Sequence, residues 1–175
     1  EMCIRDRLEA ALRAEVHADL ASSPHDEPPA RIAVIGMGRL GGAELGYGSD
    51  ADVMIVAEPS DTADEASAIA WAAKIVDQMR ARLSKPSGDP PLEVDLGLRP
   101  EGRSGPVVRT IASYERYYRE WGEVWERQAL LRAAVVAGDR GVGDAFLEAI
   151  DDFRYPAGGA KPVSYTHLTL PTKRI

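Results

Sequence analysis

The sequence predicts a mixed α/β domain, a mixed β-sheet flanked by helices and followed by further helices. Apolar runs of strand length, rich in β-branched residues, alternate with longer stretches of helical periodicity, and glycine- and proline-rich turns separate them. The 175 residues are 45% apolar and 28% charged, which excludes collagen-like, low-complexity and wholly disordered chains.

In chain order, Leu8, Leu12, Val16 and Leu20 mark one face of a helix. Ser22 to Pro29 reads as a linker. Arg31 to Gly36 reads as a buried strand entering a glycine-dense turn, Gly36 to Gly48, and Ala51 to Ala57 as a second strand. Thr62 with Glu65 predicts a capping box for a helix whose apolar stripe is Ile69, Ala72, Val76, Met79 and Leu83, ending before Pro86. Leu92 to Leu98 alternates as a third strand. Pro100 to Pro106 is a second glycine-rich loop. Thr110 to about Ala137 reads as helical, and a shorter helix spans Gly143 to Phe153. The aromatic series Tyr114, Tyr117, Tyr118, Trp121 and Trp125 has the spacing of core residues.

The 28 acidic residues outnumber the 21 basic ones, for a formal net charge of -7, so general attraction to nucleic acid or anionic lipid is not expected. No apolar run approaches the ~20 residues of a membrane-spanning helix, and none resembles a signal peptide. The expectation is a cytoplasmic protein with no membrane or nucleic-acid partner. The single cysteine, Cys3, excludes an intrachain disulfide framework and cysteine-rich zinc sites. His17, His25 and His167 lack ligand partners nearby in sequence.

Gly36, Gly38 and Gly41 fit a dinucleotide-binding turn, with Glu58 at the end of the next strand as the ribose acid. The intervening helix speaks against it. Gly41, Gly42, Gly46 and Gly48 crowd the segment, each costing about 1 kcal/mol relative to Ala in a helix interior. The carboxylates offer another reading. Asp50 and Asp52 alternate onto one face of a strand, with Cα atoms roughly 6.5 Å apart. Two like charges so placed call for a cation between them, and magnesium readily combines one or two carboxylates with phosphate oxygens. An isolated pair of this kind is more often two surface acids. Here Gly41 and Gly42 precede it with bare amides that suit a triphosphate, Ser49 adds a hydroxyl, and Glu93 and Asp95 share a face on a later strand.

A glycine pair, a D-x-D pair and an acid on a second strand resemble the polymerase-β-like nucleotidyltransferases, in which two metal ions clamp an in-line displacement at phosphorus. The runs Gly38 to Val53, Val94 to Arg109 and Trp125 to Arg132 further resemble glutamine synthetase adenylyltransferase, in order and spacing from about Arg31 to Tyr155. The resemblance implies two such domains in a long parent chain. One removes AMP from glutamine synthetase by phosphorolysis; the other adds AMP from ATP to a tyrosine hydroxyl. Leu45 to Asp50 and Arg154-Tyr155-Pro156 look more like the second, carboxy-terminal domain of an actinobacterial-type enzyme.

By the same resemblance, Asp50, Asp52 and Asp95 are the catalytic and metal-binding acids for two Mg2+ ions. Gly41, Gly42, Ser49 and Arg99 contact the nucleotide. Gly97 departs from the family, which usually has a polar or charged residue there. Glu93 ranks as a supporting residue. Glutamine synthetase is the implied protein substrate, with glutamine and a PII-type signal protein as regulators of the parent.

Residues 31–107 would then form the nucleotidyltransferase core, after a helix and linker at 8–30 and before a helical extension at 108–162. Residues 1–7 and 163–175 resemble translated adaptor sequence and are expected to be foreign ends that pack poorly. The rival reading is a nucleotide-sensing module without catalysis. Loss of any of the three acids would favour it, and all three are present.

Overall fold

The structure is a computed structural model and describes residues 2–23, 27–46, 48–86 and 90–156. Helix α1 (Met2–Ser22) leads into β1 (Ala30–Gly36), a single helical turn α2 (Gly38–Gly41), β2 (Ala51–Pro59) and the long α3 (Glu65–Leu83). The short strands β3 (Val94–Asp95) and β4 (Val108–Arg109) follow. The order then runs α4 (Ile111–Glu120), α5 (Val124–Leu130), β5 (Ala134–Gly138), α6 (Arg140–Ala149) and α7 (Asp151–Arg154).

The strands form one mixed sheet in the order β3-β2-β1-β5, with β4 also paired to β2. β1 is antiparallel to β2 and β5, whereas β3 and β4 run parallel to β2. Both faces of β1 and β2 are covered, which is why their sequences are almost continuously apolar. Strand alternation sorts the side chains into two cores. Val34, Val53 and Ile55 pack with Leu12, Ile75 and Met79 beneath α1 and α3. Ile35, Met54 and Val56 pack with Tyr114, Tyr118 and Phe146 on the opposite face.

Several local expectations are corrected. The third strand shrinks from Leu92–Leu98 to Val94–Asp95, because the chain turns when Gly97 N donates to Asp95 Oδ1 at 2.7 Å and Arg99 N to Leu96 O at 3.3 Å. Asp64, rather than Thr62, caps α3 by accepting from Ser67 N at 3.0 Å. The stretch Thr110–Ala137 is not one helix. Gly122 lies so close to the Phe153 ring and Tyr118 O that a Cβ would meet them at 2.5 and 2.6 Å. Beyond α5, Ala134–Gly138 pairs with β1, so the expected helical extension contributes a strand to the sheet. The final helix starts earlier than Gly143, at Arg140, where Asp139 accepts from Val142 N at 2.9 Å.

The amino-terminal segment also differs from expectation. Ile4 extends the Leu8–Leu12 stripe of α1 and packs on the core, and Arg7 donates to Pro90 O at 2.7 Å. Residues 163–175, His25 and His167 lie outside the described residues, and His17 is exposed. Among the described residues, no helix is long and apolar enough to cross a membrane.

The aromatic series divides. Tyr114 and Tyr118 are buried, and the Tyr114 hydroxyl donates to Ile55 O at 2.9 Å. Trp121 and Trp125 are 69% and 47% exposed. Phe146→Ala is therefore expected to cost roughly 3–5 kcal/mol by removing a fully buried ring. Trp121→Ala should stay within about 0.5 kcal/mol of the parent. Urea denaturation of both variants checks the division, and equal effects would refute it.

Candidate active site

Asp52 is the second residue of β2 and, by alternation, shares a face with Met54 and Val56 at the sheet's rim. Asp95 ends β3, and its Cα is the register partner of Asp52 in the parallel β2–β3 pair. Its neighbours Val94 and Leu96 point into the α1/α3 core, so Asp95 lies on the Asp52 face. Asp50 is exposed just before β2, the loop being tied in place by Ala51 N donating to Glu93 O at 2.8 Å.

The electrostatics match this crowding. Burial pushes the Asp52 carboxyl above the usual carboxylate range, and the charges of Asp95 and then Asp50 push it the same way. Asp95 is oriented by its bond from Gly97 N. A Cβ on Gly97 would stand only 3.1 Å from Asp95 Oδ1, so glycine there makes room for the carboxylate to fold back. Glu93 is exposed on the same short segment.

Among the described residues, no group of three or more His, Cys, Asp or Glu forms a ready-made cation cage. A divalent ion that retains phosphate oxygens and water needs only one or two carboxylates. Asp52 and Asp95, with their unbalanced negative charge, fit that requirement, and Asp50 stands close enough to add to it.

The glycine turn is built differently from the sequence expectation. The amides of Gly41 and Gly42 donate to Met37 O at 3.0 Å and Gly38 O at 3.1 Å, so they are committed within the turn rather than presented to a ligand. The absent side chains serve packing. A Cβ on Gly41 would collide with the carbonyl oxygens of Arg132 and Gly36, and one on Gly42 with the Arg132 guanidinium. Arg132 also pairs with Glu44 at 2.7 Å, holding that carboxyl below its ordinary range. The turn that carries Arg132 is fixed in turn by Arg154, which donates to Leu130 O and Ala133 O. Arg132 braces the turn across a separation of 90 positions in sequence, which no local pattern reveals. Arg127 lies with its guanidinium 5.2 Å from the Phe153 ring centre.

Ser49 and Asp50 line a cavity of about 720 Å³ that reaches Arg80, Leu92 and Glu93. Arg99 is buried, and its guanidinium donates to Leu96 O at 2.7 Å, Gly105 O at 3.1 Å and Arg103 O at 3.2 Å. It thus ties together the loop behind Asp95. Glu58, the ribose acid of the dinucleotide reading, accepts from Ile111 N at 2.7 Å and caps α4.

A mixed sheet with a glycine turn, an acidic pair entering one strand and a third acid on its parallel neighbour defines a polymerase-β-like nucleotidyltransferase domain. The sequence model of the glutamate-ammonia ligase adenylyltransferase family matches residues 1–149, and the chain belongs to that family. It is 71% identical over 169 residues to the bifunctional glutamine synthetase adenylyltransferase/adenylyl-removing enzyme of Corynebacterium efficiens, covering 96% of this chain and 16% of that protein. It is 64% identical over 155 residues to the enzyme of that name from Corynebacterium diphtheriae, with 87% of this chain and 15% of that one covered. Against the Mycobacterium avium enzyme the identity is 58% over 173 residues, with 96% and 17% covered. The chain thus spans about a sixth of the length of these relatives.

Because the folded-state pKa of Asp52 is raised, the native protein holds this proton more tightly than the unfolded chain does. Stability from this residue is therefore lost as pH rises above the ordinary carboxylate range. At pH 7 and without divalent metal, Asp52→Asn should melt about 1–3 °C higher than the parent, an advantage that fades as pH falls towards the ordinary carboxylate pKa. Calorimetric melting across that pH range checks it, and a lower melting temperature at pH 7 would contradict it.

Proposed function

We propose that this chain carries an AMP-transfer centre, acting from ATP onto a tyrosine hydroxyl of glutamine synthetase. The tyrosine oxygen forms a bond to the α-phosphorus, the bond to the β-phosphate oxygen breaks, and pyrophosphate leaves with that electron pair. Asp50, Asp52 and Asp95 would hold two Mg2+ ions, which when bound supply positive charge for the phosphate oxygens. Asp95, at the outer edge of the acidic cluster, is placed to receive the hydroxyl proton. Ser49 and the Gly41–Gly42 turn flank the triphosphate, and the cavity beside Asp50 has room for a nucleoside. Arg99 contributes its charge from within the loop behind Asp95.

The observation that carries this reading is the register pairing of Asp52 with Asp95, two uncompensated carboxylates on one sheet face beside Asp50. The names of the relatives support glutamine synthetase as the protein substrate and a bifunctional parent that also removes AMP. We read this segment as the adenylylating carboxy-terminal half, in which the transfer runs towards modification. Glutamine and a PII-type protein would regulate the parent in the cytoplasm.

The test incubates the chain with labelled ATP, magnesium and unmodified glutamine synthetase. Labelled tyrosine should appear, and Asp52→Asn should lower its rate by about 10²-fold or more, since the lost ligand acts on transition-state charge. Calorimetry should find ATP binding dependent on magnesium and NAD binding negligible. Undiminished transfer by the variant, or metal-independent NAD binding, would overturn the proposal.

A further inference from the structure

A second cavity, of about 270 Å³, lies along the outer edge of β3 and is lined by Arg80, Glu93, Asp95, Arg99, Arg103 and Val107 among others. Its charge is unusual for a chain with a net charge of -7. Three guanidinium side chains line it, and of its two carboxylates Asp95 belongs to the acidic cluster. Arg99 is only 8% exposed, and its guanidinium donates to backbone carbonyls. Among the described residues, neither Arg99 nor Arg103 has an ion-pair partner, and Arg80 has only a loose, half-exposed contact of 3.8 Å with Asp77. Arg99 is thus a buried charge without a counter-ion, which is costly, and the half-exposed Arg80 and exposed Arg103 beside it leave the cavity open to an anion.

Topology assigns the side on which that anion arrives. β2 lies between β1 and β3. The glycine turn joins β1 to β2, so it flanks Asp52 on one side, and the β3 edge flanks Asp95 on the other. The cavity shares Arg80, Glu93 and Val94 with the larger one beside Asp50, and of the two only the smaller is lined by Asp95. On the reading proposed above, the triphosphate occupies the glycine-turn side and the acceptor hydroxyl approaches past Asp95. We infer that the cavity is an acceptor-side subsite, which takes a carboxylate presented by the acceptor polypeptide near its target tyrosine. An unmodified polypeptide presents its negative charge as carboxylates, which guanidinium groups recognise through paired hydrogen bonds. The inference rests on the proposed function only for the direction from which the acceptor comes.

The test measures binding, independently of transfer. Two fluorescent nine-residue peptides carry a central tyrosine flanked by aspartate or, in the control, by asparagine. Each is titrated by anisotropy against the chain with magnesium and a non-hydrolysable ATP analogue. The acidic peptide should bind about tenfold more tightly to the parent. Arg80→Gln and Arg103→Gln should each bring the two peptides within about twofold, and Arg103→Lys should restore part of the preference. Equal or undetectable binding of the two peptides by the parent, or a preference that survives both glutamine variants, would overturn the inference. So would stabilisation by inorganic phosphate of the parent but of neither variant, with no advantage for the acidic peptide. Loss of AMP transfer with the peptide preference intact would count against the proposed function alone. Intact transfer without the preference would count against the subsite alone.

Discussion

Two carboxylates held side by side without a counter-charge are the constraint around which this domain is organised. Asp52 and Asp95 are register partners on neighbouring parallel strands, and Asp52 is partly desolvated, so their repulsion is only weakly screened. Such a pair persists only if the surrounding structure holds it. The sheet does this, because the residues following Asp52 in β2 are buried in two separate cores, one on each face. Neither strand can rotate an acid outwards without dragging apolar side chains with it.

The parts beside the acids are held with comparable firmness. The Gly41–Gly42 turn is closed on itself by its own amides and covered by the Arg132 backbone and guanidinium. That arginine belongs to a turn clamped by Arg154, and Tyr155 adds a hydroxyl bond to Leu131 O at 3.0 Å. The helices after the sheet therefore position a turn on its first half. On the other side, Arg99 fastens the loop after β3 through three carbonyls. The acids sit between two pre-formed walls, which is the rigidity a charge-stabilising site requires.

Much of this was legible in the sequence, for identifiable reasons. β1, β2 and α3 carry long patterns of one period, and strand alternation alone separates Asp52 from its buried neighbours Ala51 and Val53. The misses share a different cause. Ala134–Gly138 is short and follows a helix of similar apolar content, so only pairing with β1, about a hundred residues earlier, makes it a strand. The alternation of Leu92–Leu98 promised a longer strand, but Asp95 turned its carboxylate to the local backbone. Trp121 and Trp125 have core-like spacing, yet the chain breaks at Gly122 and leaves both exposed. The glycines of the turn were located correctly, but the packing that demands them was not, because it comes from Arg132, far along the chain.

The central claim is that the three acids form a divalent-metal site completed by nucleotide. Electron paramagnetic resonance of Mn2+ titrated into the chain tests it most directly. With a non-hydrolysable ATP analogue present, two ions should bind per chain; without the analogue, or in the Asp95→Asn variant with it, occupancy should fall well below two. Full occupancy without nucleotide, or two ions retained by the Asp95 variant, would contradict the account.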